Sequence, residues 1–222
     1  MSVIPAEAID AIIFDLDGTI IDSEVFNLPA INASLAELGE PGIDLPESAY
    51  RGIRWSIIAE HVRVARPHLK GAPLEAAFHE HFQRLVDTQA SAIPGVVDFI
   101  HAVARRVPLA IGTSSPHESA TSAVDRLGLQ DTFRVIVGAE DYEMSKPAPD
   151  CFLVAAERLG VRPERCLVFE DSPAGLAAAQ AAGMWSVAIS HGRSATEAAD
   201  LRAHLTLDDF MAWPDSLLLS LT

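Results

Sequence analysis

Ala11-Ile12-Ile13-Phe14-Asp15-Leu16-Asp17-Gly18-Thr19 is the stretch of this 222-residue sequence that decides the fold. Its first four residues form a short continuous apolar run, typical of a strand buried on both faces of a parallel sheet. Two aspartates follow at once, and the glycine after them favours a turn. The stretch therefore predicts a buried strand that ends in an acidic turn.

Apolar runs of the same kind recur downstream, and helical patterns separate them. Further strands are predicted over 108–112, 134–138, 166–169 and 185–189. Helices are predicted over 96–106, 117–127, 150–159 and 174–182, and Gly183 closes the last of them. Because strand and helix alternate, the sequence predicts an α/β fold with a doubly wound parallel sheet.

Residues 21–90 interrupt this alternation. They show helical periodicity, as in 31–38 and 74–86, and no convincing strand. We therefore expect an inserted all-helical domain at 21–90 and a core domain built from 1–20 and 91–222. Pro29 lies early in the first of these helical patterns, where a proline predicts a kink or a late helix start.

The composition excludes several classes of protein. With 16 Lys plus Arg against 31 Asp plus Glu, the net charge of −15 argues against nucleic acid or an anionic membrane as a partner. Two cysteines are too few for a disulfide framework, and we expect both to be buried apolar side chains. We expect a cytoplasmic protein, since we see neither a signal-peptide pattern nor an apolar run of about 20 residues.

Polar residues follow four of the predicted strands at the point where each strand ends. In an open α/β sheet, ligands bind outside the carboxyl ends of the strands, so these residues are expected to meet. They are Asp15-Leu16-Asp17-Gly18-Thr19, Thr113-Ser114-Ser115, Ser145-Lys146-Pro147 and Glu170-Asp171-Ser172-Pro173. The sequence thus predicts two acidic pairs, a hydroxyl cluster and a lysine at one edge of the sheet.

Such a set suits phosphoryl transfer. That reaction needs a nucleophile in line with phosphorus, an acid for the leaving oxygen, and cations around the equatorial oxygens. Four crowded carboxylates repel one another, by about 4 kcal/mol for a unit pair at ~4 Å and an effective dielectric near 20. We therefore expect Mg²⁺, which prefers hard oxygen ligands, together with the lysine.

The four motifs, in this order across the whole core, resemble those of the haloacid dehalogenase superfamily. The spelling Asp15-Leu16-Asp17-Gly18-Thr19, with Lys146-Pro147 and Glu170-Asp171-Ser172, carries the likeness. The resemblance implies that Asp15 forms an aspartyl-phosphate and that Asp17 acts as acid and base. It implies that Thr113 and Lys146 hold phosphate oxygens. Mg²⁺ would be bound by Asp15, the Asp17 main-chain carbonyl and Asp171, with Glu170 in or next to the ligand set.

The helical insertion is similar to the cap of the β-phosphoglucomutase-like branch of that superfamily. Arg51-Gly52-Ile53-Arg54 looks like its cap loop, which makes Arg51 and Arg54 candidate substrate-binding residues. Trp55 stands where the mutase carries a phosphate-binding arginine, and Asn27 where the branch has a histidine. We therefore expect a phosphatase acting on a small phosphorylated metabolite, with a phosphomutase as the alternative.

Several of these residues also have a purely structural reading. Thr113 and Ser114 are substrate-binding candidates that would equally cap the next helix. His117 follows them and is a weaker candidate. His79 and His81 diverge on a helix, so we expect two solvated cap residues and no metal site. Trp55 fits the cap core as well as a cap pocket.

A receiver-like phosphoacceptor is the non-enzymatic alternative, since receivers also gather acidic residues, Thr and Lys at strand ends. Receivers place the acidic pair on the first strand and the acceptor on a later one, whereas here Asp15 and Asp17 form one pair and an insertion follows. We expect an enzyme, and a monomer.

Overall fold

A computed structural model describes residues 4, 9–46, 50 and 55–213 of the chain. The chain divides into two compact units, one formed by Met1–Asp22 with Ala92–Thr222 and the other by Ser23–Ser91. The helices in chain order are α1 (Asn27–Glu37), α2 (Trp55–Ala65), α3 (Leu74–Gln89), α4 (Val96–Ala104), α5 (His117–Arg126), α6 (Asp150–Leu159), α7 (Pro173–Ala181) and α8 (Ala195–Asp200).

The first unit is built on a parallel sheet, which confirms the predicted α/β class. Among the described residues the strands are β1 (Ala11–Phe14), β2 (Leu109–Gly112), β3 (Phe133–Val137), β4 (Cys166–Glu170), β5 (Trp185–Ile189) and β6 (Leu205–Leu207). Their order across the sheet is β3-β2-β1-β4-β5-β6, and every pairing is parallel. The sequence did not predict β6, which has only three residues and no long apolar run.

The strand order reverses beside β1. The chain runs outward from β1 through β2 to β3, then returns to the other side of β1 and continues through β4 and β5 to β6. Ligands of open α/β sheets bind where the order reverses, outside the carboxyl ends of the strands. The carboxyl ends of β1 and β4 therefore mark the expected site.

Alternate residues of β1 pack against opposite faces of the sheet. Ala11 and Ile13 belong to a core with buried residues of α6 and α7, which explains the continuous apolar run. On the other face Phe14 stacks on Phe169 with ring centroids 5.1 Å apart, and Phe99 of α4 meets Phe14 edge-on at 6.2 Å. Both faces are thus covered by helices, as a doubly wound sheet requires.

The second unit consists of α1, α2 and α3 with their connections. Pro29 is the third residue of α1, so the helix begins just before the proline, where no main-chain hydrogen bond is lost. The unit has its own apolar core, formed by Ile31, Leu35, Ile58, Ala59, Val62, Leu69, Leu74 and Phe78.

The sequence left the environment of Trp55 open and predicted that His81 is solvated. The Trp55 ring packs against the rings of Phe78 and Phe82 at 6.1 and 5.5 Å, so Trp55 belongs to the core of the helical unit. The prediction for His81 was wrong, because His81 is buried and its Nδ1 lies 3.0 Å from Oγ of Ser34. A histidine on the inward side of α3 finds this polar partner on α1, which periodicity alone does not reveal.

Cys151 and Cys166 are free and buried, as predicted. Within the described ranges, no helix combines the length and apolar character needed to cross a bilayer.

Candidate active site

Asp15 follows β1 directly and is buried, with 5% of its surface exposed. Its main-chain N–H donates to the carbonyl of Phe169 at 2.9 Å, which extends the pairing of β1 with β4 by one residue. The chain then turns, because the carbonyl of Leu16 accepts from the N–H groups of Ile20 and Ile21 at 2.9 and 3.0 Å. The sheet and the turn together fix Asp15 where the strand order reverses.

Gly18 allows this turn to pass close to the end of β4. Its φ of 76° lies in the left-handed region, which glycine adopts without a steric penalty. A Cβ atom at this position would also lie 2.6 Å from Oδ2 of Asp171. The motif therefore needs glycine both for its backbone conformation and to leave room for the Asp171 carboxylate.

Lys146 lies in the loop between β3 and α6 and joins the two acidic strand ends. Its Nζ is 2.5 Å from Oδ1 of Asp15 and 2.8 Å from Oε1 of Glu170, and it lies 4.7 Å from the centre of the Phe152 ring. Burial alone lowers the pKa of Lys146, but the charges of Asp15 and Glu170 outweigh burial and raise that pKa well above its usual value. Lys146 is therefore a fixed cation.

The same environment acts on the carboxyl group of Asp15. The pKa of Asp15 is raised to about 7, chiefly by burial; the charge of Lys146 opposes the rise, and the charges of Glu170 and Asp17 contribute to it. A carboxyl group that holds its proton up to neutral pH is a poor nucleophile. The site therefore needs a further cation to keep Asp15 ionised.

Glu170 ends β4 and is held by hydrogen bonds to both carboxylate oxygens. Oε1 accepts from Lys146, and Oε2 accepts from the main-chain N–H and the hydroxyl of Ser172 at 2.6 and 2.9 Å. Ser172 also caps α7 by accepting from the N–H of Gly175 at 3.0 Å, followed by Pro173 in the first turn. The side chain of Glu170 is thus built into the start of α7.

Asp171 is the next residue and is bonded to an arginine that the sequence reasoning missed. Nη2 of Arg193 donates to Oδ2 of Asp171 at 2.8 Å and to its main-chain carbonyl at 2.9 Å. Both side chains are buried, at 9% and 8% exposed. Arg193 follows β5, so the search at strand ends that pointed to the other motifs would have found it had it been extended to the fifth strand.

The hydroxyl cluster after β2 contacts Asp17. The hydroxyl of Ser115 donates to Oδ2 of Asp17 at 2.6 Å, and the main-chain N–H of Ser115 donates to Oγ1 of Thr113 at 3.0 Å. The main-chain N–H of Thr113 donates to Val137, which extends β2 beyond its last strand residue. The sequence analysis named Ser115 only as part of the hydroxyl cluster. Its contact with Asp17 makes it a partner of that carboxyl group.

The remaining candidates lie farther out or outside the described residues. His117 is half-exposed, and its Nδ1 lies 3.6 Å from Oδ2 of Asp141. Ser114 is exposed, with Oγ 3.5 Å from the hydroxyl of Tyr142. Arg51 and Arg54 lie outside the described residues.

Three carboxylates at this edge suit a hard divalent cation. Asp15, Glu170 and Asp171 each offer an oxygen atom, and these atoms lie within 4.8 Å of one another. An all-oxygen donor set is the kind that Mg²⁺ prefers. Among the described residues, these carboxylates and Asp17 lie at one edge with the bonded cations Lys146 and Arg193. The crowded acidic oxygens fit Mg²⁺.

A family model described as haloacid dehalogenase-like hydrolase matches residues 9–183. The chain belongs to that family. The match spans the strand-end motifs of β1, β2 and β4 and the Lys146 loop, and it ends before Arg193.

Relatives of this hydrolase include named phosphatases. The chain is 33% identical over 177 residues to fructose-1-phosphate phosphatase YqaB of Escherichia coli, which covers 79% of this chain and 94% of that protein. It is 32% identical over 180 residues to the phosphorylated carbohydrates phosphatase of Thermotoga maritima. That match covers 79% of this chain and 82% of the Thermotoga protein. The hydrolase is therefore a phosphoric monoester hydrolase.

A solved structure has a similar fold. The crystal structure of CbbY from Rhodobacter sphaeroides in complex with phosphate matches with a TM-score of 0.72 and 27% identity, covering 92% of this chain and 96% of that chain.

Proposed function

We propose that this hydrolase is a Mg²⁺-dependent phosphatase that transfers the phosphoryl group of a small phosphorylated metabolite to Asp15 and then to water. The contact that carries the proposal is that of Lys146 with Asp15. It holds one oxygen of a buried carboxylate at 2.5 Å, at the point where the strand order of the sheet reverses. A carboxylate whose orientation is fixed by a neighbouring charged lysine is suited to attack on phosphorus.

In the first step, a bond forms between a carboxylate oxygen of Asp15 and phosphorus while the bond to the leaving oxygen breaks. Lys146 lies beside the attacking carboxylate and would stabilise charge on the phosphoryl oxygens, with Thr113 as a further donor. Asp17, held by the Ser115 hydroxyl, would give its proton to the leaving oxygen.

In the second step, water attacks phosphorus and the bond to Asp15 breaks. Asp17, now ionised, would take the proton of the attacking water, and inorganic phosphate leaves with the enzyme restored. One side chain serves as acid and then as base because each step returns it to the form that the other needs.

Asp15 and Asp171 would hold Mg²⁺ directly, together with the main-chain carbonyl of Asp17. Glu170 would stand behind them, since both of its oxygens already accept hydrogen bonds from Lys146 and Ser172. Bound Mg²⁺ would neutralise the crowded carboxylates and draw negative charge from the phosphoryl group.

The relatives support a phosphorylated sugar as the substrate class, since two of them are named for fructose 1-phosphate and phosphorylated carbohydrates. Two residues of the helical unit favour a phosphatase over a phosphomutase. Position 27 carries Asn27, whose Nδ2 donates to Oε2 of Glu24 at 2.6 Å, and position 55 carries Trp55, packed on Phe82. A mutase must hold a second phosphate while excluding water, and neither residue supplies a cation for that.

Turnover of fructose 1-phosphate with and without Mg²⁺ tests the reaction. We expect release of inorganic phosphate that EDTA abolishes, that Asp15→Asn removes, and that Asp17→Asn slows by about 10²–10⁴. Full turnover after EDTA treatment would contradict the metal role. At most one phosphate transferred per enzyme would instead indicate a receiver-like phosphoacceptor.

A second assay separates phosphatase from mutase. The protein is incubated with β-glucose 1-phosphate and a trace of the bisphosphate, and both inorganic phosphate and glucose 6-phosphate are followed. We expect inorganic phosphate to form faster, and faster glucose 6-phosphate would establish the mutase. A monomer in the cytoplasm remains our expectation. The free, buried cysteines support only the second part, a reducing compartment such as the cytoplasm.

A further inference from the structure

We propose that Arg193 is a positioning residue that holds Asp171 in the orientation in which it binds Mg²⁺, an inference that rests on the proposed function. The observation behind it is a double contact. A single guanidinium nitrogen, Nη2, donates both to Oδ2 of Asp171 at 2.8 Å and to the carbonyl of the same residue at 2.9 Å. The backbone and the side chain of Asp171 are therefore held by one group.

The loop that carries Arg193 is fixed on both sides. The main-chain N–H of Arg193 donates to the carbonyl of Ser190 at 2.8 Å, in a turn that contains Gly192 at a φ of 70°. Ser190 is tied to β6, because its N–H donates to the carbonyl of Leu207 at 2.8 Å. Immediately after Arg193, Ser194 and Glu197 form a capping box at the start of α8. The guanidinium is thus delivered from an anchored turn.

Burial makes the pair consequential. With 9% and 8% of the two side chains exposed, the charges are largely removed from water, and such a pair is favourable only when its geometry is good. Without Arg193, the side chain and the main chain of Asp171 lose the donor that they share, and the carboxylate is free to leave the orientation seen in the structure. A ligand whose orientation varies binds a metal ion less well.

Two physical effects of Arg193 on Mg²⁺ oppose each other, and we infer which one prevails. A nearby cation repels the metal, so removing Arg193 would strengthen metal binding if charge alone mattered. Residues that orient a metal ligand act in the other direction, and their loss typically weakens metal affinity or activity by about 10–100-fold. Because Nη2 fixes Asp171 through two atoms and from an anchored turn, orientation dominates.

Calorimetric titration of the EDTA-treated, dialysed protein with Mg²⁺, in the absence of substrate, tests the inference. We expect Arg193→Met to raise the Kd for Mg²⁺ by roughly 10–100-fold. Arg193→Lys keeps one cationic donor and should recover part of the affinity. Arg165→Met is the matched control, since it removes an Arg–Asp pair with Asp10 at the amino-terminal end of the same sheet. Its Kd should equal that of the wild type.

The thermal unfolding of each variant is recorded in EDTA, so that metal affinity is compared between folded proteins. If Arg193→Met does not fold, Arg193→Lys carries the test, with a Kd raised at least threefold over wild type as the expected result. Unchanged or tighter Mg²⁺ binding in the folded variants would overturn the inference while leaving the proposed function intact. A wild-type protein that binds no Mg²⁺ would overturn both.

Discussion

The Cβ atom that Gly175 lacks would lie 1.8 Å from Oε1 of Glu170. Gly175 lies in the first turn of α7, and the Glu170 carboxylate occupies the space that any larger residue would fill. Since Glu170 is buried and bonded to Lys146 and Ser172, it has no room to withdraw. The Glu170 carboxylate at the end of β4 is therefore packed directly against the first turn of α7.

This contact makes Gly175→Ala a disruptive change. Alanine normally stabilises a helix by up to about 1 kcal/mol relative to glycine. Here the overpacking should reverse the sign and lower the free energy of unfolding by about 1–3 kcal/mol. Turnover should fall at least tenfold, because Glu170 positions Lys146.

Chemical denaturation and phosphatase assays of this variant are compared with Gly71→Ala. Gly71 has nothing within 4 Å of the added methyl group, so that control should keep wild-type stability and activity. Equal stability and equal activity of Gly175→Ala and Gly71→Ala would show that the space occupied by Glu170 next to Gly175 does not matter for either property.

Removing the buried ammonium should be more damaging than any surface charge change. Lys146→Met leaves Asp15 and Glu170 without their shared cation, and breaking a buried pair in this way typically costs about 3–5 kcal/mol. We expect kcat/KM to fall by roughly 10²–10³, as for the loss of one donor to a developing anion.

The other lysine of the chain provides the control. Lys70 is exposed in the helical unit, so Lys70→Met should keep kcat/KM within about twofold of wild type, as expected for an exposed charge. A loss of less than tenfold in Lys146→Met would contradict the role given to that residue.

The strand-end motifs could be predicted from sequence because short buried strands of a parallel sheet appear as continuous apolar runs. All predicted bounds of core strands and helices agree with the structure within two residues. The convergence of Asp15, Lys146, Glu170 and Asp171 follows from the same pattern, since parallel strands bring their carboxyl ends to one edge.

What the sequence missed depends on contacts between distant segments. Arg193 lies 22 residues after its partner Asp171, and it follows β5, a strand end that the search for polar residues did not include. His81 was expected in solvent because its burial depends on Ser34 of another helix. The short strand β6 pairs with β5, and its three residues give no periodic signal.

The raised pKa of Asp15 predicts how the stability of the metal-free protein depends on pH. The native state keeps the Asp15 proton up to about pH 7, whereas an unfolded aspartate loses it near 3.8. Between these values the native state binds more protons, so the free energy of unfolding should fall as pH rises from about 4 to 7. The decrease should be on the order of 2–4 kcal/mol.

Urea denaturation in EDTA at several pH values measures this slope. Asp15→Asn cannot titrate and should lose the decrease, whereas Asp125→Asn, an exposed aspartate of α5, should keep it. An identical slope in wild type and Asp15→Asn would show that Asp15 is ionised throughout.

Ser115 should matter most for substrates whose leaving group needs a proton. Its hydroxyl donates to Oδ2 of Asp17 at 2.6 Å, so Ser115→Ala frees the acid to adopt other orientations. We expect kcat on fructose 1-phosphate to fall by roughly tenfold. This loss is smaller than the loss expected from removing the general acid itself, because Asp17 remains in place.

On p-nitrophenyl phosphate, whose leaving group departs without a proton, the loss should be much smaller. Thr121→Ala removes a hydroxyl that donates to the carbonyl of His117 within α5 and should affect neither substrate. Equal losses on both substrates in Ser115→Ala would argue that Ser115 does not act through Asp17.

Asp15 is proposed to carry the phosphoryl group during turnover, and chemical trapping can identify the residue that does so. The enzyme is quenched during turnover of fructose 1-phosphate and treated with borohydride, which reduces an acyl phosphate to an alcohol and so converts a phosphorylated aspartate to homoserine. Mass spectrometry of the peptides then locates the change. We expect homoserine at position 15 during turnover and none there without substrate. A modified residue at any other position, with position 15 unchanged during active turnover, would contradict that expectation.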